Sequence, residues 1–335
     1  MKLSSFQALL VAAASLATCA TADFKITPDR TVKATASKKN LNFVKQWTLS
    51  AGDKTNVIDS IDLSLAGNAY VSYVEGLPAD VIGYVNVSGD SRALVNAVSV
   101  SKDVLNAVES ELDDLFGNDN DGGELNVWLS HQASSGYLLT EIFLASPDAV
   151  TELKSQRSAK VVVEDGVLVK KGRRSELQID ATGSSAVYVS SPETDVSVNQ
   201  LSLETTGSAS IEYNVKSIAA RTELQMDAQG SSSITVLANT VQTGQLELDA
   251  APSGAICISS KVVKATLRDI QGKDQISMPS AAEKYGTTGT EVCEEATLPS
   301  RGAGKVTAAN NRLSNLLYGI DNDNDADDAN DSTEN

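Results

Sequence analysis

The chain has 335 residues, with 27 basic and 44 acidic side chains and a formal net charge of −17; its isoelectric point is near 4.5. Such a chain repels phosphate backbones, which excludes nucleic acid as a partner class, and it disfavours anionic lipid surfaces on the same ground. Cations, basic proteins and neutral glycans remain, although aromatic residues at 4% are few for a platform that stacks sugar rings.

Residues 1–22 have the form of a secretory signal. Lys2 is the only charge, residues 6–17 are an apolar stretch, and Ala20-Thr21-Ala22 is an A-x-A cleavage site. The stretch is too short to span a bilayer, and no later segment approaches the ~20 apolar residues a membrane helix needs. The mature chain is therefore expected to be secreted and extracellular, with no membrane span. Residues 23–40 are polar and locally basic (Lys25, Arg30, Lys33, Lys38, Lys39) and read as a leading strand or cap.

From Leu41 onward a weak repeat begins. Residues 61–71 superimpose without a gap on residues 177–187, residues 85–90 repeat the pattern 22 residues later, and residues 125–130 give a third copy. Residues 160–171 read as a degenerate one. One stretch breaks the alternation. Over residues 101–116, Val104, Leu105, Val108, Leu112, Leu115 and Phe116 recur at helical spacing, with Ser101 placed to cap the start and Gly117 to stop the end. That predicts an amphipathic helix inserted between coils and docked on the flank of the repeat. Asp119-Asn120-Asp121-Gly122 fails the EF-hand spacing, because Gly117 and Trp128 fall where the first and last ligands belong.

The strongest repeat lies over residues 176–260. Leu177, Leu201, Leu224 and Leu246 are separated by 24, 23 and 22 residues, a period that signals a solenoid or array. Each copy has an alternating pair (Leu177/Ile179, Leu201/Leu203, Leu224/Met226, Leu246/Leu248) and then a Gly/Ser turn. A second alternating pair and a weaker third run follow. Alternation over short runs bounded by Gly and Ser argues strand. Three short strands in ~22 residues are too few for a propeller blade, and they match one coil of a β-helix whose coils stack at ~4.8 Å and share a core. The expected class is all-β: a single-stranded parallel β-helix (β-solenoid) over about residues 41–270. An antiparallel sandwich is the alternative.

The residue after the second core position is Asp180, Glu204, Asp227 and then Asp249. Coils stacked in register would place these four carboxylates one above another, repelling by ~1 kcal/mol per pair in water. Such a ladder is either a solvated acidic face or a site for a hard cation such as Ca²⁺, which takes six to eight oxygens. Gln178 and Gln225 share the face. Hydrolytic chemistry finds little support. His131 is the sole histidine, no G-x-S-x-G occurs, and the ladder shows no basic residue on the same strand. Cys19 leaves with the signal. Cys257 and Cys293 remain, and two thiols in an oxidising compartment are expected to pair, pinning a C-terminal cap to the open end of the stack. Asn86-Val87-Ser88 is an N-glycosylation sequon at an outward strand position, and Asn330-Asp331-Ser332 is another. Residues 307–317 could form a short helix, and residues 321–335, with seven acids and no base, read as a disordered tail.

The phrase apolar-x-apolar-x-x-x-Gly-Ser-(Ser/Ala)-x-apolar runs from Ile179 to Val187, Leu203 to Ile211 and Met226 to Ile234, with an echo from Leu65 to Val71. It resembles the auto-transporter adhesin head GIN domain family. That resemblance covers half to two-thirds of the chain and implies a secreted or surface β-helix; it brings no catalytic residues. The helical insertion, the cysteine pair and the acidic tail depart from it. The expected organisation is a signal (1–22), a solenoid domain with helical insertion and cap (23–300), and a short helix with an acidic tail (301–335). The expected role is non-catalytic binding or adhesion at a surface or cell wall, with wall glycans or surface proteins as partners. An enzyme acting on extracellular polysaccharide is the alternative, marked by acid and base together on one face. A structural wall component is a third reading.

Overall fold

The computed structural model describes residues 24–52, 57–102 and 123–307, with the backbone alone for 36–38. The predicted signal, residues 103–116 of the predicted helix, the Asp119–Gly122 turn and the acidic tail lie outside the described residues. In the first part, β1 (Lys25–Pro28), β2 (Val32–Lys38), β3 (Leu41–Ser50), β4 (Ile58–Tyr73), β5 (Val81–Gly89), β6 (Val98–Ser101), β7 (Gly123–Leu129) and β8 (Gly136–Leu144) surround one short helix, α1 (Arg92–Asn96). Ser91 caps α1 by accepting a hydrogen bond from the Leu94 N–H. The repeat region supplies β9 (Glu152–Glu164), β10 (Glu176–Ala181), β11 (Ala186–Gly207), β12 (Ser210–Gly230), β13 (Ser233–Leu237), β14 (Thr240–Ala250), β15 (Ala255–Ser259) and β16 (Val262–Gln271). Then come β17 (Ile276–Ser277) and β18 (Gly304–Val306).

The coils stack as a parallel β-solenoid of about 5 turns, with three strand segments per coil and hence three faces. Equivalent positions sit directly over one another. One inward column reads Leu125, Ile61, Leu153, Ile179, Leu203, Met226, Leu248 and Ile270, and its first seven members are fully buried. Each alternating pair turns its apolar members into this core because successive side chains in a strand point to opposite faces. Stacking buries a face that a lone coil would leave wet.

The Gly/Ser turns explain why the phrase recurs. Gly183, Gly207 and Gly230 have φ of 74°, 84° and 75°, a conformation that costs other residues. They also lie against one another. A Cβ on Gly230 would come within 2.9 Å of the Gly207 carbonyl oxygen, and one on Gly207 within 2.8 Å of that of Gly183. The next place in this column belongs to Arg157, at φ 72°. Its buried guanidinium donates to the Leu129 carbonyl at 2.6 Å and meets the His131 ring at 3.0–3.1 Å.

The N-terminal half departs from a simple stack. Stacking order is not chain order, since β4 lies between β7/β8 on one side and β9 on the other. β5, expected as a parallel repeat, is antiparallel to both β3 and β8, and β3 is antiparallel to β1 and β2. These strands form an antiparallel end-piece that covers the edge of the first coil. Residues 61–71 are also displaced from the expected superposition. Ile61 and Ile179 both pair with Leu153, so Ile61 belongs over Ile179 and not Leu177. A two-residue slide preserves which side chains point inward, so a period-2 pattern cannot register itself against it.

The C-terminal segment does more than cap the end. Residues 272–289 close the far end through β17 on β15. The chain then turns back and runs along the outside of the β11–β15 face towards the first coils. Cys293 is bonded to Cys257 of β15. Glu295 accepts from Asn214 at 2.8 Å, and the Ala296 N–H donates to Glu212 at 2.6 Å. Tyr70 donates to the Pro299 carbonyl at 2.5 Å. Arg301 reaches Ser72 at 2.6 Å and Glu141 at 3.3 Å. β18 then pairs antiparallel with β8. Beneath this strap Leu41, Tyr70, Leu139 and Val162 form a small second core on the outer side of the sheet, with Tyr188 and Ala303 against it.

Candidate functional site

Of the three faces, the one built from β7, the first part of β4, β9, β10, the end of β11, the end of β12, β14 and β16 displays the acidic ladder. Asp180, Glu204, Asp227 and Asp249 are register partners in adjacent coils. The column extends further than its four predicted members: Asn126, Asp62 and Lys154 precede Asp180, and Gln271 follows Asp249. Two residues upstream a parallel column reads Glu124, Ser60, Glu152, Gln178, Ser202, Gln225, Glu247 and Asp269. A third, shorter column holds Glu176, Gln200, Glu223 and Gln245. The face is a lattice of carboxylates and amides with one ammonium, Lys154.

Lys154 corrects the expectation of a ladder without a base. It stands between Asp62 and Asp180 and pairs with Glu152 at 2.6 Å; those carboxylates raise its pKa against the opposing effect of its burial. The signal was present in Glu152-Leu153-Lys154, an alternating triplet of the same form as Gln178-Ile179-Asp180. A repeat search keyed to Gly-Ser turns passes over it, because Arg157-Ser158 replaces the turn.

Most ladder carboxylates are held sideways, within their own strand. Gln178 donates to Asp180 at 2.9 Å, Ser202 to Glu204 at 3.1 Å and Gln229 to Asp227 at 2.6 Å, while Gln156 reaches Asp62 from the next coil at 3.3–3.4 Å. These partners turn neighbouring carboxylates away from a common point. Among the described residues no group of three or more His, Cys, Asp or Glu side chains is placed to hold a metal ion. Burial, and after it charge crowding, shows instead in protonation. Asp180 is pushed up to about 6, first by burial and then by Glu204, against the Gln178 hydrogen bond. Asp62 is also pushed up to about 6, by burial and Glu124, with Lys154 opposing. One oxygen of Asp180 is buried without a hydrogen-bond partner.

Asn86 lies in β5 between Gln46 and Glu141, and its side-chain oxygen accepts from Gln46 at 2.8 Å. It is half-buried. Tyr188 faces outward under the strap, and Tyr213 faces inward, fully buried, so the two form no ring ladder. No helix among the described residues is long and apolar enough to cross a membrane.

No family model matches this chain, and no curated protein does. Three solved structures are similar in architecture. A candidate adhesin from Parabacteroides distasonis ATCC 8503 is 13% identical at a TM-score of 0.32, covering 78% of this chain and 97% of its own. A candidate lipid-binding protein from the same strain is 15% identical at 0.34, covering 71% and 94%. A candidate adhesin from Parabacteroides merdae ATCC 43184 is 15% identical at 0.30, covering 72% and 98%. At these identities and scores the likenesses are no basis for assigning an activity, and the functional reading rests on the residues of this chain.

Proposed function

We propose that the protein is a secreted, non-catalytic binding or adhesion module that works at a cell surface or wall through its acidic face. The observation that carries this reading is the in-register lattice running from Glu124 to Asp269 across successive coils. Every coil places at least one carboxylate on this face, and most place an amide beside it, at the ~4.8 Å spacing of paired strands, which suits an extended partner that makes the same contact many times. The partner's chemistry is basic or neutral: a cationic surface protein or a neutral wall glycan. Immobilised wall glycans and basic surface proteins, each with and without Ca²⁺, are the test. Binding is expected to weaken at least tenfold in the triple variant Glu204→Gln, Asp227→Asn, Asp249→Asn. Binding equal to the parent would remove this face from the mechanism.

A second reading has one specific observation behind it. Asp62 and Asp180, both titrating near 6, flank Lys154 on one face, a grouping of acid and base of the kind a polysaccharide-acting enzyme needs. The two carboxyl groups are two rungs apart, roughly 9–10 Å at the strand spacing. Release of reducing ends or unsaturated sugars from any wall polysaccharide, lost in Asp62→Asn and Asp180→Asn, would decide for the enzyme.

A further inference from the structure

The corner between the β11–β16 segments carrying Val196–Val198 and the acidic face is a cleft of about 730 Å³, within the ~300–1,000 Å³ range of ligand sites. It crosses five coils, and none of its lining residues is acidic. Three are cations: Lys171, Arg173 and Arg221. In a chain of net charge −17 this is a local reversal of sign.

The cleft is built by the backbone. At the corner most coils insert one residue between the two faces: Asn199, Gly244 and Thr266. β12 inserts two, Arg221 and Thr222. This extra residue is a bulge, a device that re-aims a side chain, and it projects Arg221 at the corner. Gly244 on the next coil has no side chain to fill the space, and a Cβ there would lie 2.7 Å from the Arg221 and Thr222 carbonyl oxygens. Arg173 and Arg221 are exposed and form no ion pair among the described residues. Asp195, whose carboxylate feels the Lys171 charge, is already held by Lys216 at 2.9 Å and Ser217 at 2.6 Å.

We propose that this corner cleft, with Lys171, Arg173 and Arg221 at its edges, binds an anionic saccharide chain lying along the solenoid axis. The cations would take its carboxylates or sulfates, and Ser197, Gln242 and Thr266 would supply hydroxyl and amide partners for ring hydroxyls. The cleft crosses the strands and offers no free strand edge, so it lacks the main-chain hydrogen bonds by which an extended peptide is recognised. The surrounding negative field repels the ligand elsewhere, and the three cations are what hold it here. The acidic face takes no part, so either proposal survives failure of the other.

Oligogalacturonate, dextran sulfate, fully methyl-esterified oligogalacturonate and polyglutamate are titrated into the full-length protein at low salt. The first or the second, or both, is expected to bind, and which one separates carboxylate from sulfate recognition. Affinity should fall at least tenfold in Arg173→Gln and in Arg221→Gln and stay unchanged in Lys261→Gln, an exposed cation outside the cleft. The ester and polyglutamate should bind at least tenfold more weakly. Binding by neither acidic glycan, equal binding of polyglutamate, or insensitivity to Arg221→Gln would each overturn the assignment. The substituted side chains are exposed, and unchanged circular dichroism in each variant separates lost binding from lost fold.

Discussion

Replacing Asp180 by Asn should stabilise the protein at neutral pH and leave it nearly unchanged in acid. Asp180 titrates near 6 in the fold and near 3.9 in the unfolded chain. Its folded pKa is raised, so its contribution is whole below pH ~4 and is lost as pH rises through ~6. Above that point the unfolded state gains the charge more readily, and folding pays the difference. Two pKa units correspond to ~3 kcal/mol. Asp180 is only partly buried, and solvent screening reduces this to about 1–2 kcal/mol. Asn keeps an oxygen for the Gln178 hydrogen bond and removes the repulsion from Glu204. Its amide would replace the carboxylate oxygen that is buried without a partner, with Glu204 alongside as an acceptor. Urea unfolding from pH 4 to 8 measures the effect. The variant should exceed the parent by about 1–2 kcal/mol at pH 7, and the gain should shrink to a few tenths near pH 4. A variant less stable at pH 7, or a gain independent of pH, would refute the burial of this charge beside Glu204 as the cause.

Gly207→Ala places a Cβ on a residue at φ 84° with the Gly183 carbonyl oxygen 2.8 Å away, and a loss of about 2–4 kcal/mol is expected by urea unfolding. Leu203→Ala empties one rung of the inward column and should cost about 2–5 kcal/mol with no change in register, as read by unchanged circular dichroism. Paired Cys257→Ser and Cys293→Ser substitutions release a 36-residue link worth at most ~4 kcal/mol by chain entropy. The loss should be local, with faster hydrogen exchange in residues 290–306 and little change in β10–β12. Calcium should move the unfolding midpoint no more than magnesium does, because the ladder carboxylates are held apart by Gln178, Ser202 and Gln229; a calcium-specific rise abolished by Asp227→Asn would show that they regroup around the ion.

The solenoid was legible because its phrase carries two independent signals, an alternation that selects strands and a Gly/Ser turn that selects coil length. Where one signal fails, legibility fails with it. Residues 81–89 alternate as well as any coil strand, yet alternation does not distinguish a parallel neighbour from an antiparallel one, and β5 lies antiparallel between β3 and β8. The slide of Ile61 by two positions has the same root. Lys154 was missed because Arg157, in a left-handed conformation, stands where the turn glycine was expected. The cysteine pair could be read from compartment and count, but the path between the cysteines could not. The strap of residues 290–306 makes its contacts through single polar atoms, such as the Ala296 N–H on Glu212 and Tyr70 on the Pro299 carbonyl, and these leave no period in the sequence.

The strap also determines which surfaces are available to a partner. A stack of parallel strands has two open ends, each a row of unpaired backbone groups that invites association with another chain. Here the antiparallel strands β1, β2, β3 and β5 cover one end, and residues 272–289 with β17 cover the other. The strap then lies over the face that carries Tyr70, Tyr188 and Glu212; the two tyrosines join the second core beneath it, and Glu212 accepts from the Ala296 N–H. What stays open among the described residues is the acidic lattice, the third face with its exposed Ser197, Gln242 and Lys264, and, at the corner between the two, the basic cleft. The lattice and the cleft have opposite charge and share the same coils. A ligand of either sign would therefore be drawn to one and repelled by the other.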